Sequence, residues 1–205
     1  MKPKQIQPKM KKNKDIEIRN LDSKFEVKDE IGEVPRVEGR AIVFNSPSKY
    51  MGWIETVKPE AITQELINNS DVFCRVNHSD DYIVARSING EGHLKLELRE
   101  DGLYYSFDVP NTEKGRELVE HIKRKEIFTS SFAFIVDKEG DEWHKEADGV
   151  IYRDIHKIKG IFDVAPVYTA AYAATSCSSR AENMCKYFDE IEKKLALLEA
   201  ENEAL

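Results

Sequence analysis

Between about Val34 and Ser176 the chain is written in short apolar runs cut by turn residues, and one pair of runs constrains the fold more than any other. Leu94, Leu96 and Leu98 alternate with charged or polar residues up to Asp101-Gly102, after which Leu103 to Val109 resumes. Alternation with period two turns one face of each run inward and Asp-Gly is turn chemistry, so the spacing predicts a β-hairpin. Val37 to Phe44, Asp71 to Val76, Ile127 to Val136, Val150 to Ile158 and Ile161 to Val167 are rich in β-branched and aromatic residues and read as further strands. Two stretches read as helix: Pro59 to Asn68, with Ile62, Leu66 and Ile67 facing inward, and a segment capped by Asn111 or Thr112 that runs to about Lys125 and buries Leu118, Val119 and Ile122. The expected fold is mainly β with helices (α+β), a closed or nearly closed β-barrel with covered edges.

The ends differ from this middle. Met1 to Lys14 holds six lysines and no acid, and residues 1–33 are expected to form a basic arm without enough apolar surface to order itself. A domain over 34–176 follows. Residues 177–205 are read as a linker and an acidic amphipathic helix, because Tyr187, Ile191, Leu195 and Leu198 recur at helical spacing among Glu and Lys. That helix needs a partner, and docking on the domain, dimerisation or a grip on another protein are all open. With 31 basic and 38 acidic residues the net charge is −7, which lacks the basic balance that favours phosphate backbones, so nucleic acid is not an expected partner. No apolar run reaches the roughly 18–20 residues that cross a bilayer, so no membrane partner is expected either. Cys74, Cys177 and Cys185 are an odd set without CxxC spacing, which suggests reduced thiols rather than a disulfide framework or a structural zinc site.

The most informative run for chemistry is Ile127-Phe128-Thr129-Ser130-Ser131-Phe132-Ala133-Phe134. As a strand it puts Phe128, Ser130, Phe132 and Phe134 on one face and Thr129, Ser131 and Ala133 on the other. Ser131, among small side chains, has room for a substrate carbonyl; Ser130, in a row of phenylalanines, reads as packed. A serine nucleophile needs a base within hydrogen-bond reach. Of the five histidines, His93, His121 and His144 have ordinary structural readings, whereas His78 ends a strand, where its side chain can project into a cleft. The group that would hold the histidine tautomer is Asp163, an acid inside the apolar run Ile161 to Val167, or alternatively His156. Cys74 as a thiol nucleophile is a further option, but on a straight strand it would lie about 13 Å from His78, beyond direct reach.

Taken in order, these residues resemble the prohead, or capsid-maturation, serine proteases of tailed bacteriophages, which are distantly similar to herpesvirus assembly proteases. The likeness covers about Val34 to Tyr172. It rests on Gly39-Arg40-Ala41-Ile42-Val43-Phe44, Asn77-His78, Asp101-Gly102-Leu103, Pro110, Ser131-Phe132-Ala133-Phe134, Asp163-Val164-Ala165-Pro166-Val167 and Ala171-Tyr172. The chain departs from the family in having Ala133 where Gly is usual, Ala165 where Ser is usual and Ala170 in place of Pro. The resemblance implies a herpesvirus-protease-like barrel flanked by helices, and a serine endopeptidase that needs no cofactor or metal. It assigns Ser131 as nucleophile, His78 as general base and Asp163 as the third member, with His156 as the alternative. It further implies action in the host cytoplasm inside the immature prohead, on scaffolding protein or a scaffold-like extension of the major capsid protein, with self-association possible. The protease would also cut itself, for which the small-residue run Ala170 to Ser176 is a candidate, a flexible linker being the other reading of that run. The competing expectation is a catalytically inactive assembly protein that binds scaffold or coat with the same fold.

Overall fold

The computed structural model describes residues 15–21, 26–28, 34–168 and 179–203. In chain order the elements are β1 (Glu17–Leu21), β2 (Glu26–Lys28), β3 (Arg36–Val43), β4 (Ile54–Val57), α1 (Gln64–Asn68), β5 (Asp71–Arg75), β6 (Ile83–Ile88), β7 (Glu91–Gly92), β8 (Lys95–Arg99), β9 (Gly102–Asp108), α2 (Glu113–Lys123), β10 (Thr129–Val136), β11 (Asp141–Lys145), β12 (Ile151–Ile155), β13 (Ile158–Val167) and α3 (Ser179–Glu203). The hairpin forms with Lys95 opposite Ser106 and Arg99 opposite Gly102. Its turn requires glycine, because a Cβ on Gly102 would come within 1.9 Å of Ile42 O on the neighbouring β3. Thr112 caps α2, its side chain accepting from Gly115 N at 3.1 Å, and Leu118, Val119 and Ile122 are buried as the spacing demands. The single helix expected over Pro59 to Asn68 is instead a 3₁₀ turn, Pro59–Ala61, followed by α1. Thr63 divides them: it is extended and its hydroxyl accepts from Leu66 N, so it starts a new helix rather than continuing the old one.

The strands form three sheets in the orders β1-β10-β13-β5-β6-β7, β2-β3-β9-β8 and β11-β12-β4. This corrects the expected barrel. The largest sheet ends on β1 at one side and the two-residue β7 at the other, and neither closes onto a further strand of that sheet. A barrel needs its end strands to meet with a consistent stagger; here the end strands of each sheet are not paired with one another. Val37, Ile42, Tyr105 and Phe107 of the four-stranded sheet share one core with Val72, Cys74, Phe132, Phe134 and Val164 of the six-stranded sheet, and Leu118 of α2 joins them.

Part of the segment expected to remain an unstructured arm is strand: β1 pairs antiparallel with β10, and β2 with β3. Residues 1–14 lie outside the described residues. What holds β1 is charge rather than oil. Glu17 and Arg19 point inward and are buried. Arg19 Nε and Nη2 donate to the two oxygens of Glu55 on β4 at 2.8 and 2.9 Å. Arg153 on β12, fully buried, donates to Glu17 Oε2 at 2.6 Å, Glu55 Oε2 at 2.8 Å and Asp141 Oδ2 at 2.9 Å. Every member has an opposite charge in contact, which is what makes burial of charge tolerable.

α3 is helical over the stretch expected to be amphipathic. Phe188 packs against the small cluster of Trp53 and Ile151, and Lys145 pairs with Glu192. Leu195 and Leu198 stay exposed. No helix among the described residues is long and apolar enough to cross a membrane.

Replacing Arg153 by Leu would leave Glu17, Glu55 and Asp141 without their shared cation. Chemical denaturation of Arg153→Leu is expected to show a loss of about 3–5 kcal/mol. A loss below about 1 kcal/mol would mean that the network does not hold β1 and β4 together.

Candidate active site

β10 is buried on both faces over its first six residues, Thr129 to Phe134. Ser130 follows the phenylalanine side, as its position suggests, and donates to the Tyr105 hydroxyl at 3.0 Å inside the core. Phe128 falls outside the strand and is half-exposed. Ser131 faces the other way. The register sets Ser131 opposite Ala165 and Ala133 opposite Asp163 on β13, so Ser131 and Asp163 share a face of the sheet.

His78 reaches that face through an unusual turn. β5 gives way to a 3₁₀ turn, Val76–His78, in which Asn77 and His78 both have φ near 55°. Asn adopts left-handed backbone readily, whereas His does so at some cost, and two in succession fold the chain back over the sheet. The imidazole arrives with Nε2 2.6 Å from Ser131 Oγ. Its Nδ1 lies 3.5 Å from Asp163 Oδ2, long for a hydrogen bond, and makes no other one.

Asp163 is almost fully buried, and burial pushes its carboxyl above the ordinary carboxylate range. His78 and Arg75 oppose that shift. Arg75 Nε stands 3.4 Å from the same Oδ2, and Arg75 Nη1 holds Asp80 at 2.6 Å. Sequence reasoning missed Arg75. Alternation along β5 puts it with Asp71 and Phe73, and because Phe73 is the register partner of Asp163, that face is the face of Asp163. The pairing of β5 with β13 places the guanidinium at the site, and local alternation does not show that pairing.

His156 is not brought to this site. Its Nδ1 meets Glu60 Oε1 at 2.9 Å, and Glu142 lies 3.9 Å from Nε2. The place beside His78 Nδ1 belongs to Asp163. Cys74 is buried in the core, and desolvation pushes its thiol well above the ordinary range, which disfavours a thiolate.

Ser131 is also fully covered. Asn20 of β1 is its register partner, and Ser131 Oγ donates to Arg19 O at 2.9 Å. A hydroxyl has one proton. While it is given to Arg19 O, the 2.6 Å contact with His78 requires Nε2 to be the donor, and an imidazole so protonated cannot take the serine proton.

The Caudovirus prohead serine protease family model matches residues 22–190. β1 ends at the residue before that region. Among solved structures, the chain is similar to the bacteriophage T4 capsid assembly protease, gp21, with 12% identity over 75% of this chain and 97% of that one, at a TM-score of 0.54. At that identity the likeness concerns the fold. No curated protein matches the chain significantly.

Because its carboxyl is shifted upward, Asp163 binds its proton more tightly in the folded chain than in the unfolded one. Its contribution to stability is therefore present below the ordinary carboxylate range and lost as pH rises through the shifted value. Asp163→Asn is expected to gain in urea midpoint relative to the parent as pH rises from about 3 to neutrality, starting below the usual Asp value of about 3.9. A parent that gains on the variant over that interval would contradict this.

Proposed function

Because the chain belongs to the prohead serine proteases of the Caudovirus group, we propose that Ser131 is the nucleophile of this protease, His78 its general base and Asp163 the group that orients and supports His78. The observation that carries the reading is the 2.6 Å approach of His78 Nε2 to Ser131 Oγ across 53 positions of sequence. Nδ1 must then carry a proton, and Asp163 is the acceptor on that side.

The reaction is acyl transfer in two steps. His78 takes the Ser131 proton as Oγ attacks the scissile carbonyl, then returns it to the leaving amine; water repeats the cycle on the acyl-enzyme. The imidazolium formed on the way is stabilised by ionised Asp163. Arg75, close to the same oxygen, favours that ionised form against the cost of burial. A buried carboxylate beside one fixed cation, Arg75, suits this role, because its charge matters most when His78 becomes positive.

The substrates in this reading are the scaffolding protein, or a scaffold-like extension of the major capsid protein, inside the immature prohead in the host cytoplasm. The enzyme also trims itself between about residues 170 and 181, in the run Ala170 to Ser176, which lies outside the described residues. Incubation with the coat and scaffold proteins of the same virus, followed by mapping of new termini, tests the substrate class.

Initial cleavage rates on those proteins test the assignments. Ser131→Ala and His78→Ala are each expected to lower the rate by about 10⁶-fold, and Asp163→Asn by about 10⁴-fold. His156→Ala should leave the rate within about threefold, as for a surface substitution. A folded Ser131→Ala protein that still cuts would remove Ser131 from the chemistry.

A further inference from the structure

An enzyme whose hydroxyl nucleophile is fully covered by its own chain cannot meet a substrate in that arrangement. The cover is β1: five residues paired antiparallel with β10, from Glu17 opposite Phe134 to Leu21 opposite Ser130. β1 is the outermost strand of its sheet. Its backbone carbonyl at Arg19 stands against Ser131 Oγ, where a peptide substrate would present its own carbonyl.

Accepting the nucleophile assignment above, we propose that the edge of β10 now held by β1 is the substrate-binding site. A substrate segment enters as an extended strand antiparallel to β10 after β1 has moved aside, and it carries a basic side chain in the place of Arg19. Removing β1 would expose the hydrogen-bonding edge of β10, and an unpaired edge captures extended peptides through main-chain bonds.

The side-chain preference follows from charge. Without Glu17 and Arg19 the pocket retains Glu55, Asp141 and Arg153. Two carboxylates against one guanidinium leave a net charge of −1. Glu55, which now accepts both Nε and Nη2 of Arg19, would lose those bonds. A cation restores them, whereas an acidic side chain would add a third negative charge to a buried site.

β1 and a substrate strand therefore exclude one another. The proton arrangement agrees: with Arg19 O taking the Ser131 proton, the resting nucleophile is masked electronically as well as sterically.

Ile18 and Ala133 are directly opposite one another, a cross-strand distance that suits a disulfide. Ile18→Cys/Ala133→Cys, in a Cys177→Ser/Cys185→Ser background, locks β1 when oxidised and frees it when reduced. The probe is a fluorophosphonate serine reagent on the full chain. Oxidation is expected to slow labelling at least about tenfold, as removal of the open population requires, and reduction to restore it. Equal rates in both states would overturn the proposal. An Arg19→Ala protein, in which β1 is loosened, that does not label at all would sink the nucleophile assignment, and the strand exchange with it.

Arg19→Ala provides a second measurement. Loosening β1 should speed labelling, and the peptide Ile-Glu-Ile-Arg-Asn-Leu should slow it again, while Ile-Glu-Ile-Glu-Asn-Leu should not. Equal inhibition by both peptides would overturn the basic preference.

Discussion

The single proton on Ser131 Oγ is the constraint around which this molecule is arranged. His78 Nε2 stands 2.6 Å away and Arg19 O 2.9 Å away, and a hydroxyl can donate to only one of them at a time. Which partner receives it separates a resting serine from one ready to attack. Both partners are set by backbone. His78 is delivered by two consecutive left-handed residues, of which His78 itself costs of order 1–3 kcal/mol, and Arg19 O by the register of a five-residue strand. Packing around the site keeps these positions: the face that carries Ser131 belongs to a strand buried on both sides.

The charge network behind β1 is the second determinant. Glu17, Arg19, Glu55, Asp141 and Arg153 join β1 to all three strands of the small sheet, β4, β11 and β12. An apolar contact would hold β1 without regard to what replaced it. A network of alternating charges is selective, because only a strand with compatible charges refills it without leaving a buried ion unpaired. The same chemistry that positions β1 thus defines what can take its place.

Much of this could be read along the chain. The hairpin, the capped α2 and the strands around Ser131 and Asp163 follow from local alternation and turn chemistry. Ser131 could be told from Ser130 because their neighbours differ in size, and the two do face opposite ways. The barrel was not correct. Local patterns name strands but not which ends meet, and the sheets remain open. β1 and Arg75 were also missed, for different reasons. Glu17 and Arg19 are charged at positions that turn inward, where apolar residues would announce a strand. Arg75 shares the face of Asp163 because Phe73 pairs with Asp163, and local alternation does not say which strands pair. The sequence offers Asp163 as the neighbour of His78, with His156 as the alternative. In the fold Asp163 stands there, and His156 pairs with Glu60 on another element.

The central claim is that Ser131 Oγ forms the covalent bond to substrate, and trapping that bond tests it most directly. The protein would be treated with a peptidyl phosphonate built on a sequence it cleaves, then digested, and the adduct located by tandem mass spectrometry. The account predicts one adduct, on Ser131, absent when His78 is replaced by Ala. An adduct on Ser130, on Cys74 or on any other residue, or one that forms at full rate without His78, would contradict it.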